Sequence, residues 1–258
     1  MSVRREPYGE HEDQFGELTL PDDASVEDPV PVAVLLHGGF WVRAYAGLGQ
    51  LRPLADDLAA RGWAAWNVEY RRLGGGGGWP GTVEDVSAAV DHLRVLRDRG
   101  APLDLERVVT IGHSAGGHLG LLDAARDPAD VGVRVRAVVA QAPLTDVLVA
   151  HDGDAEGARV TEWFMGGSPG ERAAEYARAS PLRRVPLGVP QLVVHGAQDD
   201  VLPAPVIDAY VAAARAAGDD VTLDRRPEHD HFDVVALGTT AWAAVVTWID
   251  RVAGRRAA

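Results

Sequence analysis

Apolar residues fall into two rhythms along the chain, short uninterrupted runs and longer stretches in which they recur at helical spacing. Val32-Ala33-Val34-Leu35-Leu36, Arg107-Val108-Val109-Thr110-Ile111, Val135 to Ala142 and Gln191-Leu192-Val193-Val194 are of the first kind. Continuous β-branched and aliphatic runs of this length mark strands covered on both faces. Ala64 to Tyr70 and a shorter stretch near Val221 to Arg225 read as further strands. Phe15 to Leu20 instead alternates apolar with polar and stops at Pro21, which predicts an exposed antiparallel edge strand, followed by a polar loop over Asp22 to Pro31.

Helical spacing predicts helices over Gly47 to Arg61, closed by Gly62, and from Thr82 to about Arg99, ended by Gly100. Thr82 is placed to cap the second, with Glu84 and Asp85 in its first turn and Arg94, Arg97 and Arg99 in its last, matching the helix dipole at both ends. Further helices are expected after Gly117, over about Ala204 to Ala217, and over about Gly238 to Val252. From Thr145 to about Pro190 the strand rhythm breaks. Two short helices are expected there, around Ala158 to Met165 and Glu171 to Ala177, as a small cap insertion over residues 145–190.

Strands alternating with helices at this spacing call for an α/β fold: a mostly parallel central sheet with helices on both faces. Chemistry in such sheets gathers beyond the carboxyl ends of the strands. His37 to Trp41, Gly112 to Gly116 and His195 to Asp200 all follow strands and meet that condition. The five glycines Gly74 to Gly78 also follow a strand, and read either as a lip over a pocket or as a slack connection.

Composition narrows the chemistry. With 258 residues and no internal composition break, one domain spanning 1–258 is expected. The net charge of −13, from 38 acidic and 25 basic residues, disfavours a nucleic-acid partner. Every basic residue is arginine, so a lysine Schiff base is excluded, and the lack of cysteine excludes thiol nucleophiles and thiolate metal sites. No apolar run approaches the ~20 residues needed to cross a bilayer, and Met1 to Asp13 is charged without an apolar core, so neither membrane association nor secretion is expected. A cytoplasmic location is the resulting expectation.

The most informative stretch is Gly112-His113-Ser114-Ala115-Gly116-Gly117, set between a predicted strand and a predicted helix. In a nucleophile elbow the serine occupies a strained turn, so the residues two before and two after it must let strand and helix crowd together. A serine hydroxyl needs a base to take its proton and an acid to orient that base. Beyond Ser114, the acids at a strand end are Asp199 and Asp200, and the histidines near the C-terminus are His229 and His231.

These segments resemble the α/β-hydrolase superfamily, specifically its esterase and kynurenine formamidase (arylformamidase) group. The likeness is carried by His37-Gly38-Gly39-Phe40-Trp41, by the serine motif, by His195-Gly196-Ala197-Gln198-Asp199 with Pro203, and by Asp230-His231-Phe232. It implies Ser114 as nucleophile, His231 as base and Asp199 as its partner, with the amides of Gly39, Phe40 and Ala115 as oxyanion donors. His37, His113 and His195 are then structural. Trp41, Tyr45, Trp79, Trp163, Phe164 and Phe232 are expected to rim an apolar pocket for a small aryl or short acyl compound. The implied activity is cleavage of a carboxylic ester or a simple formyl or aryl amide through an acyl-enzyme, without cofactor or metal. A peptidase or acyltransferase on the same triad, and a non-catalytic binding protein, are the competing readings.

Overall fold

The computed structural model describes residues 2–255. Among these residues, eight strands form one sheet: β1 (Ser2–Pro7), β2 (Phe15–Leu20), β3 (Val30–Leu36), β4 (Ala64–Val68), β5 (Leu103–His113), β6 (Ala137–Gln141), β7 (Gln191–Gly196) and β8 (Val221–Arg226). Their spatial order is β1-β2-β4-β3-β5-β6-β7-β8. β1 and β2 run antiparallel to their neighbours, and every pairing from β4 to β8 is parallel. Among the described residues, nine helices accompany them: α1 (Arg52–Ala60), α2 (Gly81–Asp91), α3 (Leu93–Asp98), α4 (Ala115–Ala124), α5 (Val147–Gly153), α6 (Ala155–Met165), α7 (Ala173–Ala179), α8 (Ala204–Ala216) and α9 (Thr240–Val252).

The apolar runs are continuous because both sheet faces are covered. Val32, Val34 and Leu36 of β3 pack with Val86, Val90 and Leu93 of α2 and α3 and with Leu119 of α4. The alternate residues Ala33 and Leu35, with Val109 and Ile111 of β5, meet Leu54 and Leu58 of α1 and Trp242, Val245 and Ile249 of α9. On the first face, Val138, Ala140 and Val193 are covered by Ile207, Tyr210 and Val211 of α8. Each such side chain taken from water contributes roughly 1.5–3 kcal/mol, so these strands have no solvent-facing side to carry polar residues. The α/β architecture expected from the sequence is the one observed.

Four local expectations are corrected. Phe15–Leu20 is not an edge strand, because β1 pairs along its length. β1 (SVRREP) is itself the edge and carries the charges that edges carry to resist further pairing, which is why it has no apolar signature. The expected helix over Gly47 to Arg61 begins only at Arg52, since Leu48–Gln50 forms a 3₁₀ turn held by Asn67 of β4 and by Glu69 just past its end. The Leu48 amide donates to Glu69 Oε2 (3.2 Å), and Asn67 Nδ2 donates to the Leu48 carbonyl (3.0 Å). The helix predicted from Thr82 to Arg99 divides at His92, and Pro80 occupies its N-cap position. Thr82 Oγ1 instead donates to the Arg71 carbonyl and accepts from the Gly78 amide. Finally, the span between β6 and β7 holds three helices rather than two; α5 is a single short helix opened by an Asp146 cap, too brief to show periodicity.

The glycine run is a hydrogen-bonded turn rather than a slack connection. The Gly75 and Gly77 amides both donate to the Arg72 carbonyl, and a Cβ on Gly77 would collide with the backbone of Arg71. Its base is fixed by Asp85, almost fully buried on α2, whose carboxylate accepts from the Arg71 amide (2.9 Å), the Arg71 guanidinium (2.6 and 2.8 Å) and Gln14 Nε2 (2.7 Å). Removing one partner of a buried ion pair leaves the other charge uncompensated. Asp85→Ala should therefore lower stability by about 3 kcal/mol in urea unfolding, and replacement of the exposed neighbour Glu84 by Ala should cost under ~0.5 kcal/mol; equal losses would refute this anchoring role.

Candidate active site

Ser114 stands between β5 and α4 with φ 52° and ψ −116°, a conformation L-residues rarely adopt. The turn exists because its flanking glycines remove obstacles. A Cβ on Gly112 would strike the Gly116 carbonyl, and a Cβ on Gly116 would strike the carbonyls of Leu36 and His37. The crowding expected from the motif is thus seen directly, and it involves the end of β3 as well as the elbow itself. Helix α4 begins at Ala115 with Ser114 at its N-cap, so its N-terminal amides and the positive end of its dipole lie beside the serine.

The second loop leaves β3 in an unusual path. Gly39 has φ 106°, and Phe40 and Trp41 follow with φ 49° and 59°. Among the described residues, no carbonyl accepts from the amides of Gly39, Phe40 or Ala115. Beneath the loop lies a buried polar cluster. His37 stacks on Tyr70 (centroids 4.4 Å, 9° between planes), its Nε2 is 2.9 Å from Glu69 Oε1, and the Tyr70 hydroxyl donates to the His37 carbonyl (2.7 Å). Burial opposes ionisation of Glu69, but the His37 bond, the His37 and Arg72 charges and the Tyr70 amide outweigh it and hold the carboxyl below its ordinary range. Glu69, Tyr70 and Arg72 escaped the sequence reading; the one available signal was a carboxylate directly following the buried strand β4.

The third and fourth loops meet each other. His231 Nδ1 lies 2.8 Å from Asp199 Oδ2, and both residues are buried. The other carboxylate oxygen, Oδ1, accepts from the amides of Val201 (2.9 Å) and Leu202 (2.8 Å). Desolvation pushes the Asp199 pKa up, yet the His231 bond and these two amides prevail, leaving it below the usual carboxylate range. Asp200 is exposed, and His229 lies on the loop without reaching Asp199. Gly196 explains how the loops come so close: a Cβ there would collide with the His229 carbonyl. His195 braces the acid loop, with Nε2 2.8 Å from the Leu202 carbonyl. The ring of His231 packs against His113, the residue before the serine (4.8 Å), which links this pair to the elbow.

The six aromatics divide. Tyr45, Trp163 and Phe232 are exposed, at 53%, 51% and 60%. Trp41 and Phe164, expected on the rim, are instead buried and stacked on each other (4.1 Å), with His118 edge-on to Trp41. The stack packs the loop after β3 against α6, so these two rings fasten the inserted helices to the sheet. Trp79 is half-buried, its amide donating to the Phe164 carbonyl (2.7 Å). The Tyr45 hydroxyl donates to Glu156 Oε1 (2.5 Å), a second tie between that loop and α6. Among the described residues, no group of three or more His, Cys, Asp or Glu could hold a metal ion, and no helix is long and apolar enough to cross a membrane.

A family model for BD-FAE matches residues 17–206, a span that contains the loop after β3, the serine elbow and Asp199. The chain belongs to the BD-FAE family. It is 30% identical over 231 residues to Esterase LipC of Mycobacterium tuberculosis, covering 83% of this chain and 55% of LipC. It is 26% identical over 198 residues to the α/β-hydrolase domain-containing protein WAV2 of Arabidopsis thaliana, covering 72% of this chain and 60% of WAV2. The BD-FAE chain thus spans little more than half the length of these relatives. Among solved structures, it superposes on a truncated carbohydrate esterase from gut microbiota with a TM-score of 0.83 at 18% identity, over 99% of this chain and 97% of that one. Esterase 2 of Thermogutta terrifontis gives 0.77 at 20% identity, over 96% and 90%. These likenesses establish the α/β-hydrolase fold.

Two buried histidines beside the BD-FAE site carry a pH signature. Burial, reinforced for His113 by the nearby His231, lowers the pKa of His113 and of His118 to about 4. In the unfolded chain each would titrate near ~6.5. Between these values the unfolded state binds more protons than the folded one, so the histidine contribution is complete above pH ~6.5 and is lost as pH falls toward 4, by up to about 1.4 kcal/mol per pH unit for each. Buried Asp123, raised to about 6 by desolvation, acts in the opposite sense between ~3.9 and 6. His118→Gln isolates one histidine: unfolding free energies measured from pH 6.5 to 4.5 should decline less steeply than in the unmodified protein, and an identical slope would refute the assignment.

Proposed function

We propose that the protein is a serine hydrolase that cleaves carboxylic esters of small apolar or aryl compounds through an acyl-enzyme on Ser114. The observation that carries this reading is the 2.8 Å bond between Asp199 and His231, packed through His113 against a serine in a strained elbow. An acid holding Nδ1 of a histidine fixes its tautomer and leaves Nε2 free to act as base. Ser114 Oγ attacks the substrate carbonyl carbon while His231 Nε2 takes its proton. The tetrahedral oxyanion is received by the amides of Gly39, Phe40 and Ala115. His231 then returns the proton to the departing alkoxide, the C–O bond breaks, and the acyl group remains on Ser114. Water, deprotonated by the same histidine, attacks the acyl-enzyme and releases the acid.

The esterase names of LipC and of the structural neighbours support the ester reading. The exposed rings of Tyr45, Trp163 and Phe232 support an apolar or aryl substrate, with the helices between β6 and β7 acting as a small cap. The resemblance of the His-Gly-Gly-Phe-Trp and Asp-His-Phe segments to arylformamidases adds simple formyl amides as a narrower possibility within the same chemistry.

Hydrolysis of p-nitrophenyl acetate and covalent labelling of Ser114 by a serine-directed phosphonate are the expected results, both lost in Ser114→Ala. Absence of both in the unmodified protein would favour a binding role without turnover. Asp199→Asn should lower kcat by ~10²- to 10⁴-fold, because the asparagine favours the wrong tautomer, and Asp200→Asn should leave it near the unmodified value. Equal losses at the two positions would refute the assigned acid. A panel of short aryl esters against N-formyl anilines separates the ester from the formamide preference.

A further inference from the structure

We propose that Gln50 is a positioning residue that fixes the oxyanion loop, the serine elbow and the base loop in one register, by bridging Gly38 to His113. This rests on the hydrolase reading above. The Gly38 amide donates to Gln50 Oε1 (2.8 Å), Gln50 Nε2 lies 3.1 Å from His113 Nδ1, and His113 Nε2 lies 2.8 Å from the His231 carbonyl. One hydrogen-bonded chain therefore starts at the residue before Gly39, passes the residue before Ser114, and ends on the backbone of the base.

Its direction is determined by its two ends. A backbone amide can only donate, so the carboxamide oxygen of Gln50 faces Gly38 and its NH₂ faces His113. His113 Nδ1 must then accept, which puts the imidazole proton on Nε2, where it donates to the His231 carbonyl. Each link permits a single arrangement, and His113 is neutral in it. Burial and the neighbouring His231 act in the same direction, disfavouring a charge on His113 beside the proposed base.

The geometry shows why a side chain is used here. Gly38 approaches the ring so closely that a Cβ would lie 2.8 Å from His113 Nδ1 and 3.3 Å from the Ser114 Cβ. The two loops touch without a backbone bond between them at this point, and the Gln50 carboxamide supplies one from the side. Gln50 is itself held by the 3₁₀ turn Leu48–Gln50, which Glu69 and Asn67 anchor to the sheet. Gln50 bonds to none of Ser114, Asp199 or the His231 ring, so its effect passes through the groups it holds.

Two variants test the proposal. Gln50→Leu removes both bonds at similar volume. Gln50→Glu keeps an acceptor for Gly38 but offers His113 no proton. Rates are taken per Ser114 titrated by the phosphonate, so that loss of folded protein does not count as loss of catalysis. Misplaced catalytic groups cost rate more than ground-state binding, so Gln50→Leu should lower kcat ~10- to 100-fold with KM within about threefold, and Gln50→Glu should remain at least about 10-fold down. Histidine ¹⁵N NMR provides a readout independent of turnover: His113 should show the Nε2–H tautomer in the unmodified protein and keep it in Gln50→Leu, where the His231 carbonyl still takes that proton, while its Nδ1 resonance shifts on losing the carboxamide hydrogen bond. Unmodified kcat per titrated serine in either variant, or an unchanged His113 Nδ1 resonance in Gln50→Leu, would overturn the proposal. Failure of the unmodified protein to hydrolyse any ester or to label at Ser114 would instead overturn the hydrolase reading on which it depends.

Discussion

The structure turns on how closely the backbone approaches itself where β3, β5 and α4 meet. Gly116 lies against the carbonyls of Leu36 and His37, and Gly112 against the carbonyl of Gly116, at separations that leave no room for a Cβ. Ser114 is held there with φ 52°, and a non-glycine residue in such a region costs on the order of 1–3 kcal/mol. The apolar contacts of β3 and β5 with helices on both faces overdetermine that conformation, since relaxing it would part strands that share a core. Strain at one residue is thus maintained by packing spread over many.

Around this point the polar groups form two buried systems that serve different ends. Asp199 is kept ionised by two backbone amides and His231, a set of donors that leaves only one oxygen facing the imidazole. Glu69 performs a similar role one layer beneath the loop after β3, pairing with His37 and Arg72 and anchoring the turn at Leu48. A buried carboxylate is tolerated in each case because its oxygens are satisfied. His113 and His118 belong to the opposite category: burial holds both neutral, so that the rings act as shaped hydrogen-bonding parts and not as charges.

The inserted helices between β6 and β7 are fastened by aromatic packing. The Trp41–Phe164 stack, with His118 at its edge, joins the loop after β3 to α6, and the Tyr45–Glu156 bond lies outside it. Rings that in the sequence look like a pocket lining therefore hold that layer in place, and the exposed aromatic surface is left to Tyr45, Trp163 and Phe232.

The sequence by itself determined the parts whose physics is local. Continuous apolar runs specify strands with two covered faces, and the glycine spacing around Ser114 specifies a turn that only small residues allow. The order of Ser114, Asp199 and His231 along the chain, with the family likeness, was enough to nominate them. Tertiary structure decided what depends on residues distant in the chain. β1 was illegible because an edge strand needs no apolar face; Trp41 and Phe164 could not be told from a pocket rim, because burial is a property of the partner and not of the ring. Glu69 and Gln50 carry no motif at all. Their importance comes from which backbone amides they reach, and that is settled only when strands far apart in sequence lie side by side.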